Sequence, residues 1–263
     1  MGSSQTSISP QDLADMIGTA DAPVIFDVRR RAAYDAAPRV IASSRWRDHA
    51  STEKWGRDLP PGAKVVVYCV HGHEVSQSAA AGLRMCGLQA AYLQGGIEAF
   101  QAAGGATIGK VEPQNGHQED GRQDQSVHWV TADAPRLGRM ACIWLIRRFI
   151  DPGACIATVS DGYVAASARE LAAQPFATAE SDAYADFADF LRRFDVGEPG
   201  LLRCAEALRG AERSADAGGQ DAGLAQLWDG LVASTQDEKT RHEKGLALLD
   251  WLYASFRTEG ASP

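Results

Sequence analysis

No stretch of the 263 residues holds the roughly 18 to 20 consecutive apolar side chains that a membrane-spanning helix requires, so a transmembrane protein is excluded. The five cysteines, Cys69, Cys86, Cys142, Cys155 and Cys204, include no Cys-x-x-Cys pair, and an odd number cannot all be paired. A disulfide scaffold and a zinc ribbon are both disfavoured, and a reducing cytoplasm is the expected compartment. Histidine is scarce at six, and no zinc spacing links any of them, so neither metal nor cofactor is expected. The opening stretch MGSSQTSISPQDL lacks the basic start and apolar core of a secretory signal. Gly2 and Thr6 fit a loose myristoylation pattern, but a polar tail is the simpler reading. Positive charge is also short: 26 Lys and Arg stand against 34 Asp and Glu. Duplex binding relies on a basic field that displaces counterions, so no nucleic-acid partner is expected.

What is present is an ordinary folded composition, 45% hydrophobic and 23% charged, in a chain long enough for two domains. Residues 109–126, GKVEPQNGHQEDGRQDQS, hold one aliphatic side chain in eighteen and cannot bury enough surface to order themselves. They read as a flexible linker between a first domain at 1–108 and a second at 127–263. The first is balanced in charge, with ten residues of each sign. The second is acidic, with 14 basic against 20 acidic residues.

Strand and helix signals alternate in the first domain. Ser9 and Pro10 suit the cap and first position of a helix carrying Leu13, Met16 and Ile17. Val24–Phe26, Val65–Tyr68 and Ala91–Leu93 are short apolar runs, separated by helical stretches at Ser78–Leu83 and Ile97–Ala103. Such alternation predicts a parallel sheet flanked by helices, with chemistry at the carboxyl ends of the strands.

Cys69 occupies one of those ends, followed by a loop with Gly72 and then a helix of small residues. Loop N–H groups and the helix N-terminus both favour a sulfur anion over a thiol. Gly72 allows the bend, and His71 and His73 add donors at the rim. A cysteine that merely ends a core strand is the alternative.

The set ISPQDLADMI, VIFDVR, VVVYCVHGHEVS and YLQGGIEAFQAAG, in this order, resembles a single rhodanese domain over residues 7–105. The resemblance implies that Cys69 is a nucleophile carrying sulfane sulfur as a persulfide. Val70, His71, Gly72, His73, Glu74, Val75 and Ser76 then form the cradle, and Asp27 and Arg29 are structural. Two departures stand out. Arg39–Ser44 reads RVIASS where the family usually has Gly-His-Ile-Pro-Gly-Ala. Ser76 lies seven positions after Cys69, where common sulfurtransferases place a hydroxyl six after. Longer loops in this superfamily accompany phosphatases and arsenate reductases. Those relatives place Arg six after the cysteine; here that position is Val75, and Glu74 would repel a dianion.

The second domain is expected to be mainly helical after strands at His128–Val130 and Cys155–Val159. Helices are predicted at Leu137–Phe149, Tyr163–Ala173, Asp182–Phe194, Leu201–Arg213, Leu224–Ser234 and Lys239–Phe256, with a loop at Ser214–Gly223. Helical spacing puts Arg139, Ile143 and Arg147 on one face with Arg136 a turn back. This is a candidate second anion site, or else a solvated face. Cys142 falls on the apolar side.

The string VTADAPRLGRMACIWLIRRFIDP resembles the C-terminal domain of chromate-resistance B-type proteins, with Ile143 at the position of an expected proline. A His- and Cys-containing family segment is replaced here by AAQPFATAESDAYADFADF, which puts any metal role tied to it in doubt. The combined resemblance implies a sulfurtransferase linked to chromate resistance. Its partners would be a small-molecule sulfur donor such as thiosulfate, a thiol or cyanide acceptor, and chromate as a further candidate. Oxyanion reduction or binding in the longer loop, and a non-catalytic redox sensor or adaptor, are the alternatives.

Overall fold

The computed structural model describes residues 6–110, 128–177, 185–217 and 222–258. The chain divides into two compact units, Met1–Lys110 with Arg148–Asp151, and Val111–Arg147 with Pro152–Pro263. Gly2 and most of the 109–126 segment lie outside the described residues. Gly109 itself pairs in a strand rather than opening a linker, because Ile108 beside it is buried and holds the strand in register. No described helix is long and apolar enough to cross a membrane.

The first unit runs β1 (Ser7–Ile8), α1 (Pro10–Met16), β2 (Val24–Asp27), α2 (Arg31–Ala36), β3 (Arg39–Ile41), β4 (Arg45–Trp46), α3 (Thr52–Gly56), β5 (Lys64–Tyr68), α4 (Glu74–Met85), β6 (Gln89–Leu93), α5 (Gly96–Ala102) and β7 (Thr107–Gly109). Five strands form a parallel sheet in the order β1-β6-β5-β2-β4, and β3 pairs antiparallel with β7. The start of α1 follows the capping chemistry: the Asp12 N–H donates to Ser9 Oγ at 3.1 Å, with Pro10 in the first turn. Central β5 carries Val65, Val66, Val67 and Tyr68, all buried, because helices cover both faces of the sheet. Ala79, Ala80 and Leu83 of α4 pack against Val65, Val67 and Phe26. The small side chains let α4 lie close to the strands, which holds its N-terminus at the end of β5.

The second unit contains β8 (His128–Ala132), α6 (Leu137–Leu145), β9 (Cys155–Val159), α7 (Val164–Glu170), β10 (Gln174–Pro175), α8 (Phe187–Arg193), α9 (Pro199–Ala217), α10 (Ala222–Ser234) and α11 (Glu238–Thr258). It is helix-rich, as expected, around a three-stranded parallel sheet ordered β10-β8-β9. The helix predicted over Tyr163–Ala173 ends at Glu170, and β10 starts just beyond the predicted stretch, at Gln174. Pro175 is tolerated there because β10 is an edge strand. The helix predicted from Leu137 to Phe149 is α-helical only to Leu145, and Ile146–Ile150 continues as a π turn. The helix expected from Asp182 is described from Phe187, where Asp186 and Asp189 form a reciprocal capping box. Ser214–Ala217, expected to be loop, extends α9: these four residues include neither Gly nor Pro, so nothing in them interrupts the helix. Trp129, Phe176 and Phe190 are buried together with ring centroids 5.5–5.8 Å apart. The Trp144 indole of α6 donates to Asp250 of α11 at 2.7 Å.

Candidate active site

Cys69 follows directly on β5 and is 7% exposed. The strand end is anchored by a buried polar network. The Tyr68 hydroxyl donates to Asp27 Oδ2 at 2.9 Å and accepts from the Ile41 N–H at 3.2 Å. Arg29 donates to both Asp27 oxygens and to the Arg39 carbonyl, and the Trp46 indole donates to the Arg29 carbonyl. Asp27 is 0% and Arg29 3% exposed, so the pair works as a structural clamp across β2 and β3. Burial drives the Arg29 pKa down, but its hydrogen bonds and ion pair with Asp27 raise it above the usual value. Burial, with the Asp27 charge, pushes the Tyr68 hydroxyl well up, so it stays a neutral donor.

Beyond Cys69 the chain turns through Val70–His73 into α4. Gly72 has φ +71°, and a Cβ there would lie 2.6 Å from both the Gly95 nitrogen and the Leu93 carbonyl oxygen. Only glycine fits that bend. The carbonyls of Cys69 and Val70 are turned toward the start of α5, accepting from the N–H groups of Ile97 (3.0 Å) and Glu98 (3.3 Å). Gly96, at φ +62°, permits this approach, since a Cβ would sit 2.3 Å from the Val70 carbonyl oxygen. The Gly95-Gly96 pair, part of the YLQGGIEAFQAAG stretch that carries the rhodanese resemblance, is therefore a brace for the cysteine loop.

Glu74, Val75 and Ser76 are the first turn of α4, not loop residues. Their N–H groups have no helical acceptor, and the His73 side chain makes no capping bond. Ser76 is fully buried, and its Oγ lies 3.2 Å from both Cys69 Sγ and the His73 carbonyl oxygen. Its single hydroxyl proton serves one of them at a time. An anionic sulfur would draw it from the carbonyl. Glu74 and His73 are exposed and Val75 is half-buried. His71 Nδ1 meets Glu98 Oε2 at 3.0 Å at the rim, with the His73 ring 5.9 Å from that of His71. Glu98 and Gln77, which donates to the Gly72 carbonyl at 3.1 Å, carried no signal in the sequence, because only the fold brings them to the loop.

The other thiols differ. Cys142 and Cys204 are buried. Burial pushes the Cys142 pKa far above that of a free thiol and the Cys204 pKa up to about 12. Cys155 is exposed and Cys86 half-buried. In the second unit, Arg139 is buried at the start of α6 while Arg136 is exposed. Arg147 falls in the π turn, exposed, so the three arginines do not form one stripe. No group of three or more His, Cys, Asp or Glu residues suited to a metal occurs among the described residues.

Several solved structures are similar to the first unit. A rhodanese-related protein from Thermoplasma volcanium shares 25% identity, with 39% of this chain and 96% of that one covered, at a TM-score of 0.34. A protein of unknown function, possible tyrosine phosphatase, from Rhodopseudomonas palustris shares 27% identity over 39% of this chain and 83% of its own, at a TM-score of 0.33. The Rhodanese_3 like domain of an Anabaena sp. protein shares 28% identity over 33% and 98%, at a TM-score of 0.30. No curated protein matches the sequence. The family model of the rhodanese-like domain matches residues 9–103, and that of the ChrB C-terminal domain matches residues 129–256. The chain is thus a rhodanese-like domain fused to a ChrB C-terminal domain.

Proposed function

We propose that this protein is a cytoplasmic sulfurtransferase in which Cys69 carries sulfane sulfur as a persulfide. The two domains together support a sulfurtransferase-like or chromate-resistance-associated role. The observation that carries the finer reading is the setting of the Cys69 sulfur. It sits at the end of β5, 3.2 Å from a buried hydroxyl, with its loop carbonyls turned toward α5 and the uncapped first turn of α4 beside it. Such a site offers donors to a sulfur anion.

The Cys69 thiolate attacks the outer sulfur of thiosulfate. The new S–S bond forms as the S–S bond of thiosulfate breaks, and sulfite leaves with that bond's electron pair. The product, Cys69–S–S⁻, is an anion of the same charge displaced outward by one sulfur, toward the N–H groups of Glu74, Val75 and Ser76. Cyanide or a thiolate then attacks the terminal sulfur. With cyanide, thiocyanate departs and the Cys69 thiolate returns, so the cycle is ping-pong. His71, held by Glu98, and His73 stand at the rim where donor and acceptor enter. Asp27 and Arg29 act only through the strand that presents Cys69.

The test is intact mass spectrometry of the full chain after incubation with thiosulfate, beside Cys69→Ser. A gain of about 32 Da, one sulfur atom, on the unsubstituted protein alone supports the persulfide. No adduct on a thiol that still alkylates would refute it and bring forward oxyanion chemistry in the longer loop. A Cys69 that neither gains sulfur nor alkylates would point to a non-catalytic role.

A further inference from the structure

Glu98 grips the cysteine loop at two points. Its backbone N–H donates to the Val70 carbonyl at 3.3 Å, and its Oε2 meets His71 Nδ1 at 3.0 Å. With the bond from the Ile97 N–H to the Cys69 carbonyl at 3.0 Å, the main chain beneath the Glu98 side chain is fixed relative to the loop. The contact between carboxylate and ring therefore depends on how α5 docks on the loop, which the positive φ of Gly96 permits.

The pair sets the tautomer of His71. An ionised carboxylate only accepts, so Nδ1 carries the proton and the lone pair lies on Nε2, at the edge of the ring away from Glu98. A carboxylate in this position orients a histidine base and stabilises the imidazolium formed when Nε2 takes a proton. The two side chains are 57% and 61% exposed, so the pair adds little to stability, and the ring is reachable from solvent. The His73 ring, 5.9 Å away, and Glu74 at the start of α4 flank it. On the far side of β5, the segments that follow β2 and β4 bring Arg30, Arg47 and Asp48. Within residues 70–77 and 95–99, histidine apart, the charged side chains are Glu74 and Glu98. An acceptor that arrives on this side as a thiolate meets two carboxylates and the persulfide anion, all of its own sign. A neutral thiol meets no such repulsion, but it needs a base.

We propose that Glu98 is a positioning residue that orients His71 as the base for an uncharged alkyl thiol, the acceptor class this rim suits. The inference rests on the persulfide chemistry proposed for Cys69. At neutral pH a free thiol is only a few per cent ionised. His71 Nε2 takes the thiol proton as the thiol sulfur attacks the terminal sulfur of Cys69–S–S⁻. The new S–S bond forms as the bond to Cys69 breaks, and the Cys69 thiolate leaves with that bond's electron pair. The imidazolium returns its proton to the outgoing persulfide. Thiol plus Cys69–S–S⁻ thus becomes R–S–SH plus the Cys69 thiolate, with no outside oxidant or reductant.

The full chain, His71→Gln and Glu98→Gln are loaded with thiosulfate and desalted, and sulfur loss is followed by intact mass spectrometry. One acceptor is 2-mercaptoethanol. The other is a water-soluble triarylphosphine, which takes the terminal sulfur as a phosphine sulfide and has no proton to lose. At neutral pH both variants should discharge to the thiol about tenfold more slowly or worse, and to the phosphine at the unsubstituted rate. The difference with thiol should close as pH is raised to about 9.5, where the thiol ionises without help. Equal slowing with both acceptors would reduce the pair to a support for loop shape and overturn the proposal. Unchanged thiol discharge in both variants, or a difference that persists at high pH, would also overturn it. An unsubstituted chain that never gains sulfur fails at the loading step, which overturns the persulfide reading and this inference with it.

Discussion

Replacing Gly96 with alanine tests whether α5 sets the shape of the cysteine loop. At φ +62° an L-residue costs about 1–2 kcal/mol. The added Cβ would also lie 2.3 Å from the Val70 carbonyl oxygen and 2.4 Å from that of Cys69. Real Cβ atoms do not approach backbone oxygen so closely, so loop and helix must separate. The bonds from Ile97 (3.0 Å) and Glu98 (3.3 Å) then weaken or break. At about 0.5–1.5 kcal/mol each, they add roughly 1–3 kcal/mol, for a total near 2–5 kcal/mol. Gly104→Ala is the control. Its φ is +76°, but nothing lies within 4 Å of the new Cβ, so only the backbone cost of about 1–2 kcal/mol applies. Hydrogen exchange of the β5 amides reads the stability of the first unit without requiring the two units to unfold together. Persulfide formation by mass spectrometry reads the loop. Gly96→Ala should lose more protection than Gly104→Ala and load sulfur at least tenfold more slowly. Equal protection and equal loading in the two variants would refute the brace.

Four further outcomes follow from the same geometry. Asp27→Asn leaves the Arg29 guanidinium buried without its carboxylate, and the first unit should lose about 3–5 kcal/mol by β5 amide exchange. A loss under about 1 kcal/mol would contradict the clamp. Ser76→Ala removes the buried hydroxyl 3.2 Å from Cys69 Sγ and should slow sulfur loading roughly tenfold while leaving the fold intact; an unchanged rate would remove Ser76 from the site. Alkylation of the native chain should modify exposed Cys155 well before Cys142 and Cys204, whose thiols are buried and held protonated, and early labelling of Cys142 would contradict the packing of α6. The folded His242 has its pKa lowered, first by burial and then by Arg147 and Arg241, against the opposing charge of Glu238. The unfolded chain therefore binds the proton first, and the second unit should lose stability as pH falls through about 6.5. His242→Gln should flatten that slope in a denaturant series, and an unaltered slope would sink the assignment.

Local chemistry was enough to read much of the first unit. Ser9 and Pro10 start α1, and the valine run of β5 and the alanines of α4 announce a covered parallel strand and a closely packed helix. Cys69 at their junction follows from the order of those two elements, and Gly72 from the need for a positive φ. The second unit was legible as helix-rich, but its boundaries shifted wherever packing overrode pattern. Pro175 sits in an edge strand because β8 was there to receive Gln174 and Pro175, and the helix from Leu137 slipped into a π turn after Leu145. Tertiary structure alone decided the rest, since contacts between residues far apart leave no periodic trace. The Tyr68 hydroxyl meets Asp27 across 41 residues, and Glu98 meets His71 across 27. Arg139 and Arg241, a hundred residues apart in the chain, line one cleft of the second unit. The sequence determined which side chains could carry charge or sulfur chemistry; folding determined which of them meet, because burial and hydrogen-bond satisfaction are properties of the packed chain.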